Sequence, residues 1–282
     1  MIKKLFMFAL VGGMFSLTAC AAGGSSTEST PTESTSENTT AAQSTAETTT
    51  PVNTEAQEVT TTQFTYTTEE WKAPEEYGKV IALTFDDGPN TTTTNEVLDV
   101  LEEFDVKASF FVIGTNISEE TVPVMQRAVS QGCEINSHSM THDYMNSMTD
   151  EEILADTEQV NQLIKDAIGT EPKFFRPPYI ATSGKMFRLI EMPFIAGYGC
   201  DDWDPAVDVD TRVQKTLEQS RDGAIILLHD AKGNSQTVEA LRQIIPELQA
   251  QGYEFVTVSE LFYAKGIQYV PGLKKTFSAV PQ

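Results

Sequence analysis

From Gly78 onward the apolar residues fall by turns into short continuous runs and into helical spacing. Val80 to Phe85 is a short run closed by Asp86-Asp87-Gly88-Pro89, which predicts a buried strand ending in a turn. Val97, Leu98, Leu101 and Phe104 recur at helical spacing and predict a helix over 92–104. Lys107 to Ile113 predicts the next strand, ended by Gly114. Ile117 to Glu120 opens a predicted helix that runs through Val122, Met125, Ala128 and Val129 and stops at Gly132. Cys133 to Asn136 reads as a short strand. Thr149 with Glu152 three residues on is a capping-box pattern, predicting a helix to about Ile168 that stops at Gly169. Phe174–Arg176, Phe194–Tyr198 and Ala224–Leu228 predict three further strands. Val238, Leu241, Ile244, Ile245 and Leu248 predict a helix over 235–250, and Phe255 to Val258 a last strand.

Alternation of this kind implies parallel strands with helices outside, an α/β fold. With about seven strand-helix units, a closed or nearly closed (β/α) barrel is more economical than an open doubly wound sheet. No Gly-rich phosphate loop follows the first strand, which weakens the open-sheet alternative. In such barrels the strand C-termini gather on one face, and active sites are built there. Polar residues fall at those ends: Asp86 and Asp87, His138 and His142, Arg176 and Tyr179, Asp202 and Trp203, and His229.

The chain before this region is of another kind. Lys3 and Lys4 precede an apolar stretch from Leu5 to Leu17, too short for a membrane span and suited to an export signal. The segment 1–20 ends in Leu17-Thr18-Ala19-Cys20, which looks like a bacterial lipobox and makes Cys20 the expected lipidation site. Residues 21–68 are rich in Thr, Ser, Glu and Ala and have no Lys or Arg, so they predict a disordered acidic tether. The expected organisation is therefore signal 1–20, tether 21–68 and one catalytic domain over 69–282. The expected location is extracellular and membrane-anchored. A net charge of −22 over 282 residues argues against a nucleic-acid partner. Export permits a disulfide. None is expected between Cys133 and Cys200, which fall at opposite ends of predicted strands.

Charge excludes one class of function; the histidines point to another. All three histidines lie at strand ends, as His138-Ser139-Met140-Thr141-His142 and as Leu227-Leu228-His229. Two imidazoles and a carboxylate suit a divalent ion with open positions. Spacing of i, i+4 lets His138 and His142 reach one ion from a single helical turn, and Asp87 could be the third ligand. Asp86 is then free to act as general base beside it, and His229 to protonate a leaving atom. A divalent ion lowers the pKa of coordinated water and polarises a carbonyl. Singly, each element also has a plain structural reading: Asp-Asp-Gly as a turn, His-x3-His as a surface pair, Arg176 as an ion-pair partner, Trp203 and Cys200 as core.

Taken together, these residues resemble the polysaccharide deacetylases of the fourth carbohydrate esterase family, the class that includes chitooligosaccharide deacetylases, over residues 78–265. Thr84-Phe85-Asp86-Asp87-Gly88-Pro89 is similar to that family's first motif, which implies Asp86 as base and Asp87 as metal ligand. His138-Ser-Met-Thr-His142 is similar to its metal-binding motif. Arg176-Pro177-Pro178-Tyr179 resembles the third, which implies that Arg176 supports the catalytic carboxylate and that the Tyr179 backbone N–H holds the oxyanion. Asp202-Trp203 resembles the end of the fourth, with Asp202 tuning the catalytic His and Trp203 walling the groove. Leu227-Leu228-His229 resembles the fifth, with Leu227 lining the acetyl pocket and His229 as acid. Ile180 stands where the family usually has Gly, and Gly199-Cys200-Asp201 replaces the usual lead of the fourth motif; both departures bear on substrate more than on catalysis.

The resemblance implies a distorted (β/α) barrel. It also implies metal-dependent hydrolysis of acetyl groups from a polysaccharide, with zinc the first expectation and cobalt, manganese or nickel also fitting. A tethered enzyme facing the wall leans slightly toward N-acetylglucosamine in peptidoglycan or chitooligosaccharide; O-acetyl groups on xylan are the alternative. The expected partners are the glycan and the membrane, and the expected state is a monomer. Two rivals stay open: a catalytically silent carbohydrate-binding lipoprotein, and a non-haem iron oxygenase using the same two His and one carboxylate.

Overall fold

The computed structural model describes residues 71–268 and 274–281. The export segment 1–20, Cys20 and the tether 21–68 lie outside the described residues. No helix among the described residues is long and apolar enough to cross a membrane.

Five parallel strands lie in the order β3 (Glu134–Ser137), β2 (Ser109–Val112), β1 (Lys79–Asp86), β6 (Ile225–His229) and β5 (Tyr198–Gly199). β7 (Tyr253–Phe255) pairs parallel with the start of β1. Beyond β3, Phe175 bridges Ser137 on one side and Phe194 of β4 (Phe194–Ile195) on the other. β4 pairs with β8 (Thr276–Phe277), and Ala279 just after β8 bridges back to Ala224 beside β6. Helices α1 (Thr93–Glu103), α2 (Val122–Ser130), α3 (Asp150–Ile168) and α6 (Ser235–Ala250) connect the strands, as the alternation predicts, together with α5 (Val209–Gln219).

Side chains alternate across each strand, so one strand serves two environments. Ile81, Leu83 and Phe85 of β1 join Phe110, Ala224, Ile226 and Leu228 in a core shared with α1, α2 and α6. The opposite face of β1 begins with Val80 and Ala82, packed with Phe111, Ile225 and Phe262. That inner face then changes character, because its next two positions are the buried polar residues Thr84 and Asp86. A third apolar cluster packs Ile153, Met186, Ile190 and Phe194 between α3 and α4 (Met186–Leu189). α3 is capped as predicted: Glu152 N donates to Thr149 Oγ1 at 3.2 Å, and Thr149 N donates to Glu152 Oε2 at 2.7 Å. Its end is Gly169 at φ 78, a left-handed cap that costs glycine little.

Some boundaries differ from the sequence expectation. Ile117 and Ser118 are irregular, residues 119–121 form a turn, and α2 starts at Val122. The strand expected over 255–258 is β7 at 253–255; Val258 instead opens α7 (Val258–Ala264), capped by Thr257 Oγ1, which accepts from Glu260 N. Phe174–Arg176 contributes only the Phe175 bridges. The run 194–198 divides into β4 and β5 around Ala196-Gly197, where a Cβ on Gly197 would stand 2.7 Å from Leu227 Cβ. Helix α5, with Asp208 as cap, and strand β8 were not anticipated. Cys133 and Cys200 are both buried and free, as expected.

Candidate active site

The register of β1 against β6 sets Asp86 beside His229. Asp86 is buried, and Arg176 Nη1 donates to its Oδ1 at 2.5 Å. Arg176 is itself fully buried; its Nη2 donates to Thr84 Oγ1 at 2.8 Å, and its guanidinium lies 4.1 Å from the centre of the Phe111 ring. Burial alone would raise the Asp86 pKa, but the charge of Arg176, followed by those of His138 and His229, holds it below the usual carboxylate value. A carboxylate kept ionised inside the protein can accept a proton from a reactant.

Asp87, His138 and His142 form a second group, with one ligand atom from each lying within 4.8 Å of the others. Asp87 Oδ1 is 3.6 Å from Nε2 of His138 and 3.6 Å from Nε2 of His142. His138 Nδ1 lies 2.7 Å from the Arg176 carbonyl. A carbonyl only accepts, so Nδ1 carries the proton and Nε2 presents its lone pair toward Asp87. Burial, working against the nearby carboxylates, lowers the His138 pKa and favours the neutral ring that a ligand needs. Asp87 Oδ1 is buried and has no hydrogen-bond partner; left so, a carboxylate oxygen is costly. An orphaned anionic oxygen facing two imidazole nitrogens fits a divalent cation.

The loop that carries the two histidines corrects one expectation. Residues 138–142 do not form a helical turn. Ser139 (φ 69) and His142 (φ 63) are left-handed, and the reversal brings the second ring back to the first, with centroids 4.9 Å apart. Met140 N donates to Asp156 Oδ1 of α3 at 3.0 Å, and His142 N to Ser139 Oγ at 3.0 Å, which fixes the loop. Asp87 is also left-handed (φ 75), and Asn116 Nδ2 donates to its carbonyl at 2.8 Å.

On the other side, Asp202 accepts from the His229 ring at Nδ1 (2.8 Å) and from the His229 backbone N–H (2.8 Å). Thr237 Oγ1 donates to Asp202 Oδ2 at 2.7 Å, and Asn234 Nδ2 donates to the His229 carbonyl at 2.9 Å. Burial opposes protonation of His229, but the hydrogen bond and charge of Asp202, helped by Asp86 and Asp87, raise its pKa to about 9. Nδ1 is engaged, so Nε2 is the atom that can give a proton away.

Sequence reasoning singled out the reacting groups and two that hold them, Arg176 and Asp202, but missed the rest of the support. Thr84 stands in the first motif with no role implied for it there, and Thr237 and Asn234 carry no motif beyond their polarity at the start of a helix. Asp230 is another: fully buried, it accepts from Thr94 Oγ1 at 2.5 Å, and its N–H donates to the Asp86 carbonyl at 3.0 Å. Burial and the nearby Asp87 and Asp86 raise its pKa to about 7, against the hydrogen bond from Thr94. Its place directly after His229 was the available signal.

These groups open into a cleft of about 640 Å³ lined by Asp86, Asp87, His138, His142 and His229, with Tyr179, Ile180, Trp203 and Leu227. Tyr179 and Trp203 are 65 % and 64 % exposed at its rim, flat surfaces free to meet a ligand. The Tyr179 ring meets His142 edge-on at 4.7 Å. Cys200, by contrast, is buried in the main core, and Asp201 pairs with Lys215 at 3.0 Å.

A family model described as polysaccharide deacetylase matches residues 73–191. The bifunctional xylanase/deacetylase of Pseudobutyrivibrio xylanivorans is 50 % identical over 189 residues, covering 67 % of this chain and 31 % of that protein. This chain therefore spans about a third of that relative's length. The peptidoglycan-N-acetylglucosamine deacetylase of Bacillus cereus is 37 % identical over 204 residues, 69 % of this chain and 93 % of that one. Among solved structures, a family 4 acetyl xylan esterase from Clostridium thermocellum in complex with a cobalt ion aligns with a TM-score of 0.71 at 40 % identity, covering 72 % of this chain and all of that one. Near-complete coverage of the Bacillus deacetylase and the Clostridium esterase, on an α/β sheet that gathers the motif residues around one cleft, shows that this chain belongs to the polysaccharide deacetylase family, carbohydrate esterase family 4.

Proposed function

We propose that the chain removes acetyl groups from a polysaccharide by metal-dependent hydrolysis, with O-acetylated xylan as substrate. The observation that carries the reaction is the buried, partnerless Asp87 Oδ1 between two imidazole nitrogens, next to the separately ionised Asp86. Asp87, His138 and His142 would hold the ion. When bound, such an ion acidifies water and polarises the acetyl carbonyl. Zinc suits this ligand set, and the structure of the Clostridium esterase holds a cobalt ion.

Asp86 accepts the proton of the attacking water, held ionised and aimed by Arg176. The Tyr179 backbone N–H donates to the oxygen that gains negative charge. His229 keeps a proton on Nε2 and delivers it to the leaving sugar oxygen, which in an ester needs that proton to depart. Asp202 fixes the tautomer and favours the charged ring. Leu227 lines the space for the acetyl methyl, and Tyr179 and Trp203 offer faces to sugar rings.

The slight lean toward amino sugars gives way here. The relatives named for xylan are 50 % and 40 % identical, and the peptidoglycan deacetylase is 37 % identical. A protein tethered outside the cell through Cys20 suits a soluble or plant-derived glycan as well as the wall. The test is acetate release by the purified protein, stripped of metal and refilled, side by side on acetylated xylan, chitooligosaccharide and peptidoglycan. Metal-restored release with xylan preferred is the expected result. Release from peptidoglycan alone would move the substrate to the wall; metal binding without release would revive the binding lipoprotein.

A further inference from the structure

Tyr179 (φ 58, ψ 15) and Ile180 (φ 53) are consecutive residues in the left-handed region. An L-residue there brings Cβ against the backbone, and a β-branched side chain is the worst placed to tolerate it. Glycine would take the same conformation freely. Nothing in the packing repays the isoleucine. Ile180 belongs to none of the three apolar clusters and is 37 % exposed. Its one backbone bond, N–H to the Pro177 carbonyl at 3.0 Å, is one that glycine would make equally well.

What the conformation does achieve is to set a branched aliphatic group on the wall of the cleft that holds Asp86 and His229. The cleft has two aliphatic side chains in its lining. Leu227 comes from inside, on β6 and in register with Thr84. Ile180 stands at the rim next to the exposed Tyr179, where a sugar ring rather than its acetyl group would pass. Backbone strain kept at a site, without a packing reward, marks a functional constraint.

We propose that Ile180 is a specificity-determining residue, whose side chain closes the groove to a sugar with a hydroxymethyl arm on C5 and so selects acetylated pentose units over N-acetylhexosamine units. The inference rests on the deacetylase reading above. The two sugars differ at C5 by that arm, and an aliphatic wall would strip it of water without offering a hydrogen bond in return. Leu227 and the groups around Asp86 serve both sugars alike, so discrimination falls to the rim.

The test uses Ile180→Ala, which removes bulk and keeps the strain, and Ile180→Gly, which removes both. The ratio of kcat/KM on acetylated xylooligosaccharide to that on chitooligosaccharide is measured for each, with thermal melting in parallel. Both variants should move the ratio toward chitooligosaccharide by at least about tenfold, chiefly through KM. Ile180→Gly should also melt above Ile180→Ala, because it alone releases the backbone. A ratio unchanged within about twofold in both variants overturns the proposal, since even one methylene in a pocket is worth more. A wild type that prefers chitooligosaccharide overturns it as well. Should the wild type release acetate from neither, the deacetylase reading fails by itself. Calorimetric binding of the same two oligosaccharides then decides the wall: a relative affinity shifted toward chitooligosaccharide in Ile180→Ala supports it, and an unchanged one overturns it.

Discussion

Replacing Asp202 by Asn isolates the charge that supports His229. The amide keeps the shape of the carboxylate and its carbonyl acceptor but removes the negative charge from a fully buried position 2.8 Å from Nδ1. In the native protein the ring is raised from the ordinary 6.5 to about 9, and burial works in the opposite direction. At about 1.4 kcal/mol per pH unit, that rise favours the protonated ring by about 3 kcal/mol. Without the charge, burial faces only Asp86 and Asp87, so the His229 pKa should fall by about two pH units or more. The basic limb of kcat/KM against pH should move acidward by the same amount, and acetate release near pH 8 should fall about tenfold for a two-unit shift, because the protonated fraction of the ring drops from about 0.9 to about 0.1. Activity should recover in part toward pH 6. Stability gives an independent reading. A folded pKa above the unfolded one stabilises fully below about 6.5, and that contribution disappears as pH rises through about 9. The gap in urea stability between wild type and Asp202→Asn should therefore be greatest near pH 6 and smaller by about 3 kcal/mol at most near pH 10. An unmoved basic limb together with a gap that is flat with pH would refute the assignment of His229 as the acid tuned by Asp202.

Further expectations concern the opposite side of the cleft. Asp87→Ala should lose metal binding and acetate release together, whereas Asp86→Asn should retain the metal, read by calorimetry, and lose turnover; near-normal turnover in Asp86→Asn would remove it as base. Arg176→Met leaves Asp86 buried without its counter-charge and should cost about 3–5 kcal/mol in urea unfolding; a loss below about 1 kcal/mol would show that Asp86 has other compensation. Gly88→Ala places a Cβ 2.4 Å from Asp230 Oδ2. The turn carrying Asp87 must then shift, and metal affinity measured by competition should drop by about tenfold or more, the scale of a disturbed support to a ligand; unchanged affinity would show that the turn yields elsewhere.

Local patterning made much of this legible. The strand and helix alternation needs only a few residues at a time, and the capping box at Thr149 and Glu152 is a contact within one turn. The failures are equally local. The apolar run 255–258 reads as a strand by composition, but pairing with β1 ends near Phe255 and Thr257 caps a helix, its side chain accepting from Glu260 N. Residues 138–142 have helical spacing but lie in a loop with Ser139 and His142 left-handed, held by bonds of His138 to the Arg176 carbonyl, of Met140 N to Asp156 and of His142 N to Ser139 Oγ.

The sequence by itself determined which chemical groups are available: three histidines, the Asp86-Asp87 pair and Arg176, all at or just beyond predicted strand ends. It also determined that alternating segments would form parallel strands, since hydrophobic periodicity is a property of neighbours along the chain. Tertiary structure decided what those groups do. The register of β1 against β6, two strands far apart in sequence, put Asp86 beside His229. Burial and the Arg176 guanidinium made Asp86 a base, while the Arg176 carbonyl aimed His138 at Asp87. Left-handed backbone at Asp87, His142 and Ile180 aimed a ligand pair and a wall into one cleft. Such conformations cost energy locally and persist only where the surrounding fold over-determines them, so no reading of local pattern could have anticipated them.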